Sequence, residues 1–353
     1  MTHLERFNAS IARKPFDRIP FTLSMTGEAA ENLSAYFGRP YLEILYGEFD
    51  TDVRHAGPAY TGPAPEKNAD GAYKNIFGVT KRDVSYGRGK YSEAVGFPLS
   101  RAETVSDVKN FHWPKACDHD FGAPFEILNK YPDYPFMVGY HSLGWVSWEM
   151  RGMETFLTDL YENPGIAGAI IEEVADYGYE YYRLLLGEAK SQGAKNFSMI
   201  QLADDWATQE SLLISVEMFR KHFKPHYGRI IEMARGAGVF VEFHCCGAQS
   251  KLIPEFIDLG VDIVNPLQTS AAGMDPAFLK REYGRDIAFS GGIDVQTVLP
   301  MGNPESVRDE VFRMLEIMGA GGGYVLAPSH SIQTDVPVQN VVAMVNAVKD
   351  FYR

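Results

Sequence analysis

Cysteine is scarce in this chain: 3 among 353 residues. So small and odd a number in a chain of this size excludes a disulfide-stapled scaffold. Positive charge is also in deficit, with 33 Lys and Arg against 46 Asp and Glu and a formal net charge of −13. That argues against a nucleic-acid binder, which shows a basic face, though it leaves room for a local basic pocket. Long apolar runs are missing; nothing approaches the roughly 20 residues needed to span a bilayer, so no membrane partner is expected. The opening Met1-Thr2-His3-Leu4-Glu5-Arg6-Phe7 has no apolar signal segment, and a cytoplasmic protein is expected. No Gly-x-Gly-x-x-Gly turn opens a helix after the first expected strand, which argues against a nucleotide-binding sheet. Tandem repeats, low-complexity tracts and long linkers are absent from the sequence, so residues 1–353 read as a single domain.

What is present is an ordinary globular balance, 45% hydrophobic and 22% charged. Short apolar runs over 19–23, 136–141, 197–202, 239–245, 263–266, 287–290 and 324–327 read as strands, with a further one near 44–53. Amphipathic stretches over 153–161, 166–185, 216–235, 251–259, 304–317 and 339–351 lie between or after them. Such alternation implies parallel strands with crossover helices. The strand count is near that of a (β/α)8 TIM barrel; an open doubly wound sheet is the alternative. Residues 56–115 break the pattern. They are rich in Gly, Pro and Tyr and read as an N-terminal β-rich insertion, or flap, over one end of the barrel.

The run Val239-Phe240-Val241-Glu242-Phe243-His244-Cys245-Cys246-Gly247 is the most informative segment. Strand side chains alternate faces, so Glu242, His244 and Cys246 share one and Val241, Phe243 and Cys245 the other. A carboxylate, an imidazole and a thiol are costly to bury without a partner. A zinc ion resolves that cost, because imidazole and thiolate are its preferred ligands. A plain core pair is the competing reading for His244 and Cys246, and a third ligand has to come from elsewhere. In a barrel the chemistry sits at the C-terminal ends of strands. There the sequence places Tyr140 and His141, Asp204 and Asp205, Asn265 and Gln268, Ser290 and Asp294, and Ser329 and His330. Asp204, Tyr140 and His141 are the candidates for contact with substrate. A core hydrogen bond is the competing role for His141, and helix capping for Asp204, Asp205 and Asp294. Cys245 reads as a packed thiol and Cys117 as an incidental loop thiol.

Several segments together resemble a known family. They are Glu5-Arg6-Phe7 with Phe16-Asp17-Arg18-Ile19-Pro20; Phe77-Gly78-Val79, Pro98-Leu99 and Trp113-Pro114; Arg151-Gly152, Asn163-Pro164 and Ala203-Asp204-Asp205; and, further on, residues 243–247, Asn265-Pro266, residues 290–294 and 322–328. This ordered set is similar to the uroporphyrinogen decarboxylase superfamily over nearly the whole chain. The resemblance implies a (β/α)8 barrel. The Arg-Gln-Ala-Gly-Arg-Tyr segment with which the decarboxylases bind porphyrin carboxylates is not found here. The chain instead resembles the zinc-dependent, cobalamin-linked methyltransferases of that superfamily, which carry a His-x-Cys pair and a distant Cys as ligands. The resemblance implies a Zn²⁺ ion held by His244, Cys246 and a residue just past the last strand. His330 stands there in place of the usual Cys. Glu242 is expected as a fourth ligand or as a group orienting His244. The partners so implied are a corrinoid protein and a small methyl donor or acceptor. Two other functions stay open: a metal-free decarboxylase with Arg54 or Arg151 lining its pocket, and a non-catalytic corrinoid or tetrapyrrole carrier.

Overall fold

Among the described residues, twelve strands form where β-branched and aromatic residues alternate or run together, and their pairing sorts them into three sheets. The computed structural model describes residues 1–65, 67–86 and 89–353. In chain order the strands are β1 (Arg54–Ala56), β2 (Ala59–Tyr60), β3 (Tyr73–Lys74), β4 (Thr80–Tyr86), β5 (Gly89–Gly96), β6 (His119–Asp120), β7 (Phe136–His141), β8 (Phe197–Ala203), β9 (Phe240–His244), β10 (Ile263–Leu267), β11 (Ala288–Ile293) and β12 (Tyr324–Pro328). The main sheet has seven strands in the order β1-β7-β8-β9-β10-β11-β12, every neighbouring pair parallel.

The expected strand at 19–23 closes this curled sheet. Leu326 N donates to Pro20 O and Thr22 N to Leu326 O, each at 3.0 Å, while Asp52 N donates to Phe21 O at 2.9 Å. The segment is therefore bonded to β12 on one side and to the residues leading into β1 on the other. The architecture is the (β/α)8 barrel that the alternation predicts. The strand expected near 44–53 is a correction. Residues Ile44–Glu48 form a π-helical turn, and the strand begins only at Arg54. Buried Ile44, Leu45 and Phe49 recur at helical spacing, which a strand cannot put on one side. The helix expected over 216–235 is two helices, Val216–His222 and Lys224–Gly236, with Pro225 in the first turn of the second.

Packing divides into two cores. The outer one lies between strands and helices and takes Val241, Phe243 and Cys245 from β9 and the residue after it. The inner one fills the lower barrel with Val53, Met137, Met199, Ile263, Ala288 and Val325. Phe7 and Ile11 of the helix His3–Ile11 join it from below, so that helix plugs the N-terminal end. The upper end is left for polar residues.

The segment 56–115 is β-rich as expected. β3, β4 and β5 form an antiparallel three-stranded sheet, and β2 pairs with β6. Positions 66, 87 and 88 of the expected insertion lie outside the described residues. Gln333 Nε2 donates to Tyr91 Oη at 2.6 Å, which ties this sheet to the loop after β12.

Candidate metal centre

β9 ends at His244, and the alternation of its side chains is the one the sequence predicts: Glu242 and His244 face the barrel interior, while Val241 and Phe243 are fully buried under the helices. Beyond the strand, Cys245 N donates to Asn265 O at 2.7 Å and keeps the chain extended for one more residue. Cys246 N then donates to Asp205 Oδ1 at 2.8 Å. The chain turns at Gly247, whose φ of +87° suits glycine and whose missing Cβ leaves room for the Thr208 carbonyl. Gly247 N donates to Gln268 Oε1 at 2.8 Å.

This arrangement puts the Cys246 thiol 3.3 Å from His244 Nε2. Ligands at zinc–nitrogen and zinc–sulfur distances stand about 3.6 Å apart at tetrahedral angles. The third member, His330, follows β12 and Pro328. One ligand atom from each of His244, Cys246 and His330 lies within 4.8 Å of the others. The two imidazole rings are 6.1 Å apart between centroids.

A hydrogen-bond relay sets the tautomer of His244. Strand register places Asn265 beside His244. Asn265 Nδ2 donates to Ser290 Oγ at 3.2 Å, so its Oδ1 faces His244 Nδ1 at 2.6 Å and accepts the ring proton. Nε2 is left with its lone pair toward Cys246, the form a metal requires. Burial holds the imidazole below its usual pKa, against the pull of Asp205 and Asn265. Burial pushes the Cys246 thiol upward, and the Asp205 carboxylate adds to that. Without a cation the thiol stays protonated; a divalent ion inverts this balance. Two imidazoles and a thiol converging with no Arg or Lys among them suit zinc.

The remaining candidates fall in different places. Glu242 sits one layer deeper than His244 and accepts from Gln201 Nε2 at 2.7 Å, with burial pushing its carboxyl up to about 7. It is not among the three converging donors. Asp204 does not line the cavity. Its carboxylate accepts from the backbone N–H groups of Leu143, Gly144 and Trp145, from Ser142 Oγ and from Tyr227 Oη, at the start of the helix Gly144–Arg151. Burial pushes it up to about 6 against those bonds. Its neighbour Asp205 is the one at the cluster, 4.0 Å from His244 Nε2. His141 is buried against Gly178 of the long helix Pro164–Gln192, and burial lowers its pKa to about 4. Tyr140 is 61% exposed. Asp294 caps the next helical turn through Thr297 N at 2.8 Å.

Beneath the cluster lies a cavity of about 280 Å³, lined among others by Ser24, His55, Met137, Met199, Gln201, Glu242, Ser290 and Val325. Sequence reasoning gave no role to His55 or Gln201. The signal for Gln201 was its inward position two residues before the end of β8.

The family model described as Uroporphyrinogen decarboxylase (URO-D) matches residues 146–351. A methylated-thiol–coenzyme M methyltransferase of Methanosarcina mazei is 26% identical over 237 residues, 65% of this chain and 57% of that protein. A uroporphyrinogen decarboxylase of Coxiella burnetii is 23% identical over 210 residues, and this chain spans 53% of its length. The chain thus spans about half the length of these relatives. A uroporphyrinogen decarboxylase of Anaeromyxobacter dehalogenans aligns over 99% of both chains at 24% identity. Among solved structures, a methyltransferase from Methanosarcina mazei superimposes with a TM-score of 0.70 over 100% of both chains at 18% identity, a likeness of fold.

Proposed function

We propose that this chain, which belongs to the uroporphyrinogen decarboxylase family, is a zinc-dependent methyltransferase that moves a methyl group between a small molecule and a corrinoid carried by a partner protein. The observation that carries this reading is the convergence of His244, Cys246 and His330 at the upper end of the cavity inside the barrel. The similarity to a methyltransferase of Methanosarcina mazei supports it.

His244, Cys246 and His330 would hold the ion, and zinc held there supplies a Lewis acid for the heteroatom that carries the methyl group. Asn265 and Ser290 keep His244 in the tautomer that ligates through Nε2. Asp205 fixes the Cys246 backbone and thereby the height of the thiol. One thiolate with two imidazoles leaves more charge on the ion than two thiolates with one, which favours an oxygen-linked methyl donor over a thiol. Tyr140 stands exposed at the end of β7, where a partner surface can reach it. Asp204 acts as a positioning residue that holds the β7–helix turn beside it.

The decarboxylase reading needs cations for a carboxylated substrate. Among the described residues that line the cavity there is no Arg or Lys. Arg151 is committed to Asp159 and to the carbonyls of Leu99 and Ala102. Arg54 is stacked among Tyr46, Tyr131 and Tyr134, on the outer side of β1. A cavity of about 280 Å³ is also small for a tetrapyrrole, substrate or cargo alike.

The test combines elemental analysis with single-turnover methyl transfer. We expect close to one zinc per chain, lost in His244→Ala and Cys246→Ala, and methylcobalamin formed from a Co(I) corrinoid and a methoxylated donor. Purified, unchelated protein without a transition metal would end this reading.

A further inference from the structure

The lower end of the cavity carries chemistry that metal binding leaves unused. Its walls are Met137, Met199 and Val325, and its polar groups are His55, Gln201 and Glu242. Strand register pairs Gln201 with Glu242, one layer below the pairing of Ala203 with His244. Two residues along a strand is roughly 6.6 Å, so Glu242 lies about that far below the zinc ligand on the same face. Gln201 Nε2 holds Glu242 Oε1 at 2.7 Å. Glu242 Oε2 accepts no hydrogen bond from the described residues, although the residue is 5% exposed and lines the cavity. That oxygen faces the cavity, where a ligand donor can reach it.

The charge inventory is one-sided. No Arg or Lys lines the cavity among the described residues. His55 is the cavity's remaining imidazole, outside the three converging donors. A carboxylate or sulfonate at the floor would meet Glu242 with no Arg or Lys beside it. An O–H would meet a waiting acceptor instead.

We infer that the floor of this cavity is a subsite for an O–H donor, with Glu242 as its acceptor and Gln201 as the residue that positions it. The molecule it selects is small and carries no negative charge: a methyl ether with a hydroxyl at the end remote from the methyl group. This rests on the methyl-transfer reading above and names the substrate class for it. A site built to accept a hydroxyl proton rejects the analogue that lacks it, because the acceptor is then left buried and unpaired.

The experiment titrates three probes into the zinc-loaded full chain by calorimetry: 4-methoxyphenol, anisole and 4-methoxybenzoate. We expect 4-methoxyphenol to bind at least about tenfold more tightly than either of the others. In Glu242→Leu its affinity falls to that of anisole, while anisole binding stays within about twofold and zinc content is unchanged. Equal affinities for 4-methoxyphenol and anisole in the wild type, or tightest binding of 4-methoxybenzoate, overturn the subsite. Equal weakening of both neutral probes in Glu242→Leu overturns it too. Methyl transfer to a Co(I) corrinoid is read on the same samples. Discrimination without transfer overturns the methyltransferase reading and leaves the subsite standing; transfer without discrimination does the reverse.

Discussion

His244 has a different task for each ring nitrogen. Nδ1 is bound by Asn265, and Nε2 points at Cys246. Replacing Asn265 with Leu removes the acceptor and frees the ring to turn. Zinc affinity should fall roughly 10–100-fold, measured by chelator competition; an unchanged affinity would reduce Asn265 to packing. Cys245, which stands between these two residues in sequence, is buried in the outer core. Cys245→Ala should keep full zinc occupancy and lower stability by about 1 kcal/mol in urea unfolding. Loss of zinc there, with retention in Cys246→Ala, would invert the assignment of the two thiols. The facing of 242 and 244 was legible from alternation alone, since a strand leaves no freedom in it; Cys246 lies past the end of β9 and follows only because the chain stays extended through Cys245. Asp204 and Asp205 were not separable that way. They follow β8, where the chain leaves the extended path, and only the tertiary turn decides that Asp204 caps a helix while Asp205 meets Cys246.

At the scale of an element, the turn after β9 depends on Gly247. A Cβ there would press on the Thr208 carbonyl, and the positive φ adds strain for any other residue. Gly247→Ala should cost about 1–3 kcal/mol and displace Cys246, read as lower stability together with weakened zinc binding. The N-terminal segment that closes the barrel is fastened by charge. Asp52 is fully buried and accepts from Arg6, Arg18, His3 and the Phe21 backbone. Burial pushes Asp52 up, but its His3 bond and the Arg18 and Arg6 charges outweigh this and hold it below its ordinary 3.8. Burial pushes His3 down, and Asp50 and Asp52 outweigh that and hold it above 6.5. The lowered acid contributes stability above 3.8 and loses it as pH falls through the folded value; the raised imidazole contributes below 6.5 and loses it as pH rises. Hydrogen exchange of residues 3–24, corrected for intrinsic rates, should therefore be slowest between those two values. Asp52→Ala takes the carboxylate from Arg18 and leaves Arg6 to Asp17 alone, and should cost about 3 kcal/mol. The helices were legible in sequence because their apolar spacing is local. The π-helical turn at Ile44–Glu48 was misread because a run of apolar residues that short does not distinguish a strand from a turn packed on one side.

At the scale of the whole molecule, the barrel brings together residues far apart in sequence. Ser290, Asn265 and His244 are joined across three neighbouring strands, so the tautomer of one ligand is a property of strand order. Sequence could offer the donors but not the 3.3 Å between two of them, which depends on where the chain turns after β9. His330 was reachable only through its place after the last strand. Its loop is held by the insertion through Gln333 and Tyr91. His330→Cys should retain zinc yet slow ether demethylation, because a second thiolate lowers the electrophilicity of the ion; an unchanged rate with full zinc would show that charge on the ion does not limit the reaction. The three donors thus come from two strand ends that lie far apart in sequence. His244 and Cys246 stand at the end of β9, while His330 lies between Ser329, whose N–H donates to Ile293 O at 2.7 Å, and Ile332, whose N–H donates to Ser24 O at 2.9 Å. The segment that carries the third donor is therefore pinned both to β11 and to the N-terminal strand that closes the barrel. Unfastening that N-terminal strand should accordingly loosen the hold on a bound ion, read as faster loss to a chelator, without any change at the donors themselves.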